Sequence, residues 1–143
     1  MARGVPDEVL DRLRAVPLFS GCTRKELATI AGLGTRLTVT EGTDVTTQGA
    51  HGAELVIVLS GTAACTVDGT QVATFGPGEF FGEMSLLDHG PRSATVSAKT
   101  PLEVIVLDGR EFRALIATAP DIAWKALGTM AARLRVADAS LHH

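Results

Sequence analysis

The chain has 143 residues, 45% of them hydrophobic and 20% charged, a composition that supports one folded domain with a sizeable core and excludes a disordered chain. Its net charge of −3, with basic residues scattered singly or in small groups such as Arg133 and Arg135, argues against broad binding to nucleic acid or to an anionic membrane. The longest apolar run, Leu55-Val56-Ile57-Val58-Leu59, is strand-sized rather than the ~18 residues of a membrane span, and the first residues lack the apolar core of a signal peptide.

A cytoplasmic location without membrane contact is therefore expected. Cys22 and Cys65 stand alone, with no CxxC and no Cys/His cluster, so both are expected to be small buried hydrophobes.

Three sections follow one another: short helices over 1–35, a Gly- and Thr-rich β section over 36–107, and helices over 108–143, read together as a single domain over 1–143. A first helix is predicted over about 6–16, with Val9, Leu13 and Val16 on one face and Pro17 stopping it. Thr23-Arg24-Lys25-Glu26 is a capping box that opens a second helix carrying Leu27, Ile30 and Ala31, with Gly32 and Gly34 ending it.

Short strands are expected at 36–40, 44–48, 54–59, 62–67, 70–75, 93–98 and 102–107, separated by turn formers such as Glu41-Gly42, Ser60-Gly61 and Gly76-Pro77-Gly78. Val67-Asp68-Gly69-Thr70 is a two-residue hairpin signal. So many short strands without helices between them indicate an antiparallel sandwich, roll or barrel.

Helix returns at Asp108-Gly109-Arg110-Glu111, a second capping box, ahead of Phe112, Leu115 and Ile116. Ala119-Pro120 breaks that helix, and Pro120 suits the first turn of a last helix running toward Ser140. Along it Ala123, Leu127, Met130, Leu134, Ala137 and Leu141 are spaced alternately four and three apart, which is a short heptad seam. Such a stripe packs on the chain's own β section, or pairs with a second subunit, or does both on different faces. The closing His142-His143 is assigned no role.

One segment carries chemistry: Gly78-Glu79-Phe80-Phe81-Gly82-Glu83-Met84-Ser85-Leu86-Leu87, then a Gly90-Pro91 turn and Arg92-Ser93-Ala94-Thr95. It interrupts the β pattern with a few helix-competent residues, 83–87. Gly82 permits a close backbone approach, and the first amides of the short helix, near Met84 and Ser85, lack intrahelical partners and attract an anion. Arg92 adds a planar, permanently charged fork. Glu83 is then left to accept from neutral hydroxyls, such as a ribose 2′-OH. An anion beside a hydroxylated sugar is a nucleotide.

The segment resembles the phosphate-binding cassette of the cyclic-nucleotide-binding domain family, with its pattern G-E-x-x-G-E-x-x-L followed by R-[STA]-A-[TS], here Gly78, Glu79, Gly82, Glu83, Leu86 and Arg92-Ser93-Ala94-Thr95. Pro17-Leu18-Phe19-Ser20-Gly21-Cys22 and Glu26-Leu27 are similar to that family's helical lead-in, and Glu41-Gly42, Gln48-Gly49 and Val58-Leu59-Ser60-Gly61 to its β-roll turns.

The resemblance implies an α+β fold that is mainly β: an antiparallel, jelly-roll-like β-roll with N-terminal helices, a cassette at 78–95 and a long C-terminal helix. It implies no enzyme, no metal and no cofactor, but a regulatory module whose ligand is cAMP, with cGMP as the alternative. Ser93 after the arginine, where cGMP-selective members commonly carry threonine, favours cAMP.

Carried over by residue, Glu83 binds the ribose 2′-OH. Arg92 pairs with the phosphate, helped by the Ser93 hydroxyl and the amides of Gly82, Met84 and Ala94, with Ser85 in the same helix turn. On the last helix the residues that reach the adenine fall at Val136-Ala137-Asp138, where Asp138 is the one acceptor. The heptad spacing of that helix leads to the expectation of a homodimer along it, with Leu127, Met130, Leu134 and Leu141 in the seam. The family's DNA-reading helix-turn-helix is not among these residues, so no DNA binding is expected of this chain itself, which is either a stand-alone module or part of a longer regulator.

Two other readings compete. A ligand-free interaction domain of the same fold has no need of the Glu83 and Arg92 pair. A cupin-like metal-dependent enzyme requires converging histidines, whereas His51 and His89 are isolated in the sequence.

Overall fold

The computed structural model describes residues 6–141, with side chains through 137. Helix α1 (Asp7–Arg14) buries Val9, Leu10 and Leu13, and Pro17 does more than stop it: it starts a 3₁₀ turn, Pro17–Phe19, that buries Leu18 and Phe19. Proline suits that position because its missing N–H has no acceptor in a first turn. Helix α2 (Arg24–Leu33) opens on the expected box, in which Thr23 accepts from the Glu26 amide and Glu26 accepts from the Thr23 amide. It runs through Gly32 and ends at Gly34.

Eight strands follow: β1 (Thr35–Val39), β2 (Asp44–Thr46), β3 (Leu55–Ser60), β4 (Ala63–Val67), β5 (Thr70–Phe75), β6 (Phe80–Phe81), β7 (Thr95–Ala98) and β8 (Leu102–Leu107). They form two four-stranded sheets, ordered β1-β8-β3-β6 and β2-β7-β4-β5, with every pairing antiparallel. This is the anticipated roll. Asp68 and Gly69 both have positive φ, 51° and 81°, so β4 and β5 close through the primed turn that the Asp-Gly pair favours.

The apolar run of β3 is explained by its having no solvent face. Leu55, Ile57 and Leu59 point into a core shared with the helices, while Val56 and Val58 point into the core between the sheets. Strand β8 divides the same way, Ile105 and Leu107 to the helices and Leu102 and Val104 to the second sheet. Each such side chain removed from water contributes roughly 1.5–3 kcal/mol before ordering costs. The first sheet is thus clamped on both sides, and its β6 edge leads directly into the cassette.

Helix α3 (Glu83–Asp88) comes next, and helices α4 (Gly109–Thr118) and α5 (Asp121–Leu141) close the described chain. The box at Asp108 and Glu111 is formed as expected. On α5 the face turned to the protein carries Ile122 and Ala126, with Thr129, Met130 and Arg133 half-buried beyond them. Leu127 and Leu134 remain 57% and 69% exposed, and Trp124 beside them 78%. The heptad stripe therefore splits: Met130 turns inward beside Leu87 and Phe112, while Leu127 and Leu134 face outward with Trp124. The Leu141 end of the stripe lies outside the described side chains.

Candidate functional site

The cassette is built around one glycine. Gly82 has φ 90°, and a Cβ on it would lie 2.5 Å from the Glu54 carbonyl oxygen and 2.8 Å from Arg92 Nη1, so no other residue fits. From it α3 departs, and the first helical bond runs from the Leu86 amide to the Gly82 carbonyl at 3.2 Å. The amides of Glu83, Met84 and Ser85 precede that first bond and remain available to a ligand.

Arg92 is pinned at both ends. Its amide donates to the Ala50 carbonyl at 2.9 Å, and its carbonyl accepts from the Gly49 amide at 2.8 Å. The side chain is only 8% exposed, with Nη1 donating to the carbonyl oxygens of Glu54 at 3.0 Å and Gly82 at 3.4 Å. Gly52 leaves room for it: a Cβ there would stand 2.9 Å from Arg92 Nε. The Glu54 carboxylate lies 4.0 Å from Nη2 and is half exposed, which is a weak, solvent-screened pairing. A cation this deep, held mainly by carbonyl dipoles, has charge to spare for an anion.

Gly82, Glu83, Met84, Ser85, Arg92, Ser93 and Ala94 all line one open cleft of about 140 Å³. Ser93 is exposed at its wall, Ser85 is buried in it, and Asp138 lies outside the described side chains. His51, isolated in the sequence, is exposed in its loop.

The cleft also contains residues that motif reading misses. Thr46, Cys65, Phe75, Phe81 and Val96 come from five strands that converge only in three dimensions. Burial pushes the Cys65 thiol above its ordinary pKa, partly offset by the Arg133 guanidinium, so it stays protonated and behaves as a small apolar wall.

Arg133 is the largest omission. The sequence shows it only as one of several scattered basic residues, yet its Nη1 donates to Glu83 Oε1 at 2.6 Å and its Nη2 to the Phe80 carbonyl at 2.5 Å. The guanidinium lies over two rings, 4.8 Å from the centroid of Phe80 and 5.3 Å from that of Phe75. The signal was present: Arg133 follows Ile122, Ala126 and Thr129 at helical spacing, so a charge stands on the inward face.

Glu83, read from the sequence as a free acceptor, thus has a cationic partner. A carboxylate offers about four lone-pair sites, so occupation of Oε1 leaves Oε2 able to accept from a hydroxyl.

The fold and cleft define a class: a two-sheet antiparallel roll with a short helix and a buried arginine facing one glycine-lined anion cradle. A family model described as cyclic nucleotide-binding domain matches residues 36–119, and the chain belongs to that family.

It is 37% identical over 134 residues to the cyclic AMP receptor protein of Thermus thermophilus, covering 90% of this chain and 62% of that one. It is 40% identical over 106 residues to the cAMP-dependent protein kinase regulatory subunit of Yarrowia lipolytica, covering 73% of this chain and 28% of that subunit. The crystal structure of the Thermus thermophilus catabolite activator protein superposes with a TM-score of 0.79 at 37% identity, over 87% of this chain and 61% of that one. The chain therefore spans less than two thirds of the length of these relatives. None of its described helices is long and apolar enough to cross a membrane.

Proposed function

We propose that this chain is a regulatory binding module for cAMP that acts as one unit over residues 1–143 and performs no chemistry on its ligand. The observation that carries the reading is Arg92: a guanidinium nine-tenths buried, flanked by two glycines and facing the free amides of α3 across one cleft. The cyclic phosphate lies between them, with Arg92 and the amides of Gly82, Met84, Ser85 and Ala94 as donors and the Ser93 hydroxyl at the rim. The ribose 2′-OH donates to Glu83. The base extends toward α5, where Arg133 stands and where Asp138 is the candidate acceptor.

The relatives named for cyclic AMP and the Ser93 that follows the arginine favour cAMP over cGMP. The chain works as a homodimer along α5, the partner copy covering Trp124, Leu127 and Leu134, whose spacing of three and seven suits a helix pair. Its location is the cytoplasm, in keeping with two unpaired cysteines, and DNA contact is not assigned to a chain of net charge −3. Titration calorimetry with cAMP and cGMP tests the reading. Saturable binding of cAMP, tighter than that of cGMP, is expected; no heat from either nucleotide overturns it.

A further inference from the structure

Ser85 is buried to 2% exposure, the deepest hydroxyl among the buried polar residues, and lines the same cleft as Arg92. Hydroxyls on the other helices behave differently. Those of Thr29, Thr118 and Thr129 return to the carbonyl four residues earlier, the ordinary way for a helical hydroxyl to satisfy itself. The Ser85 hydroxyl makes no such bond and finds no other protein partner among the described residues. No polar side-chain atom sealed from solvent lacks a partner among the described residues, so the Ser85 oxygen is open, and the space it opens to is the cleft.

A recessed hydroxyl with no protein partner, on the wall of a cleft, has its donor left for whatever occupies the cleft. A donor count at the cradle says what that is. Arg92 Nη1 is committed to two backbone carbonyls, which leaves Nε and Nη2 for an anion. A cyclic phosphodiester presents two nonbridging oxygens, each able to accept more than one bond, so the arginine alone does not saturate it.

We propose that the Ser85 hydroxyl donates to a nonbridging oxygen of the cyclic phosphate and is a recognition residue in its own right, apart from its backbone amide. The inference rests on the cyclic-nucleotide reading of the cleft, and its test separates the two.

Calorimetry on the wild type and Ser85→Ala uses three probes: cAMP and the Rp and Sp phosphorothioate analogues, in which sulfur, a poor acceptor, replaces one nonbridging oxygen or the other. Ser85→Ala is expected to weaken cAMP about tenfold, the worth of one hydrogen bond to a charged group. It is also expected to change the Rp/Sp affinity ratio by about threefold or more, since only the oxygen facing Ser85 loses a donor. The melting temperature of the unliganded variant reports whether the fold is kept.

A variant within twofold of wild type for cAMP, or one that loses equal affinity for all three ligands, overturns the role of Ser85. Failure of the wild type to bind cAMP overturns the cleft reading itself, and this inference with it.

Discussion

Replacing Arg92 with alanine removes a guanidinium that is 8% exposed, and that burial sets the size of the effect. Were Arg92 an ordinary surface arginine near an anion, the pair would be worth ~0–1 kcal/mol, at most about fivefold in affinity. Truncating one member of a desolvated, hydrogen-bonded charge pair instead costs ~2–5 kcal/mol, or roughly 30- to 4,000-fold. The burial of Arg92 argues for the second case, since Glu54 and Gly82 already hold Nη1 in place and little ordering would remain to be done on binding.

Arg92→Lys should fall between, since an ammonium cannot present two parallel donors and cannot reach both carbonyls and a phosphate. Calorimetry with cAMP measures all three proteins, and thermal melting of the unliganded forms verifies that they fold. An alanine variant that melts normally and binds within fivefold of wild type would refute the assignment of the anion to Arg92.

Glu83→Gln should weaken cAMP binding less than Arg92→Ala, because an amide oxygen still accepts from a hydroxyl. 2′-Deoxy-cAMP should lose affinity against wild type and lose much less against Glu83→Ala; equal losses in both show that Glu83 does not read the ribose. Arg133→Gln should lower stability by about 1–2 kcal/mol, below the ~3–5 of a fully buried broken pair, because its partner is 14% exposed and Arg133 itself 32%. The double change Arg133→Gln with Glu83→Gln should cost less than the two single costs summed, as read from melting curves, and strict additivity shows that the contact carries no energy. In sedimentation at micromolar concentration the wild type should run as a dimer and Leu134→Glu as a monomer, while a monomeric wild type with and without cAMP removes the α5 pairing.

What could be read without coordinates was whatever depends on neighbours in sequence. The boxes at Thr23 and Asp108 and the Asp68-Gly69 turn are decided within four residues, and each formed where expected. Strand β6 escaped because it is two residues long, and its status as a strand depends wholly on pairing with Val56 and Ile57, more than twenty positions earlier. The cassette was legible as a motif, but the walls opposite it were not, since Thr46, Cys65 and Val96 carry no local mark of facing a ligand.

The last helix shows the limit most clearly. Its three-and-four spacing specified an apolar sector, yet the neighbours, not the spacing, decided that Met130 turns in and that Trp124 joins Leu127 and Leu134 outside. The same neighbours made Arg133 a counter-ion for Glu83 instead of a solvated charge. One helix thereby holds a charge that answers to the cleft and, about a third of a turn around, the exposed apolar face of Trp124, Leu127 and Leu134. In the proposed complex a ligand hydroxyl on Oε2 would share the Glu83 carboxylate with Arg133 on Oε1. The 2.6 Å contact between Arg133 and Glu83 joins the cleft wall to α5, and a change in that contact on binding is what a ligand-driven shift of the outer face would require.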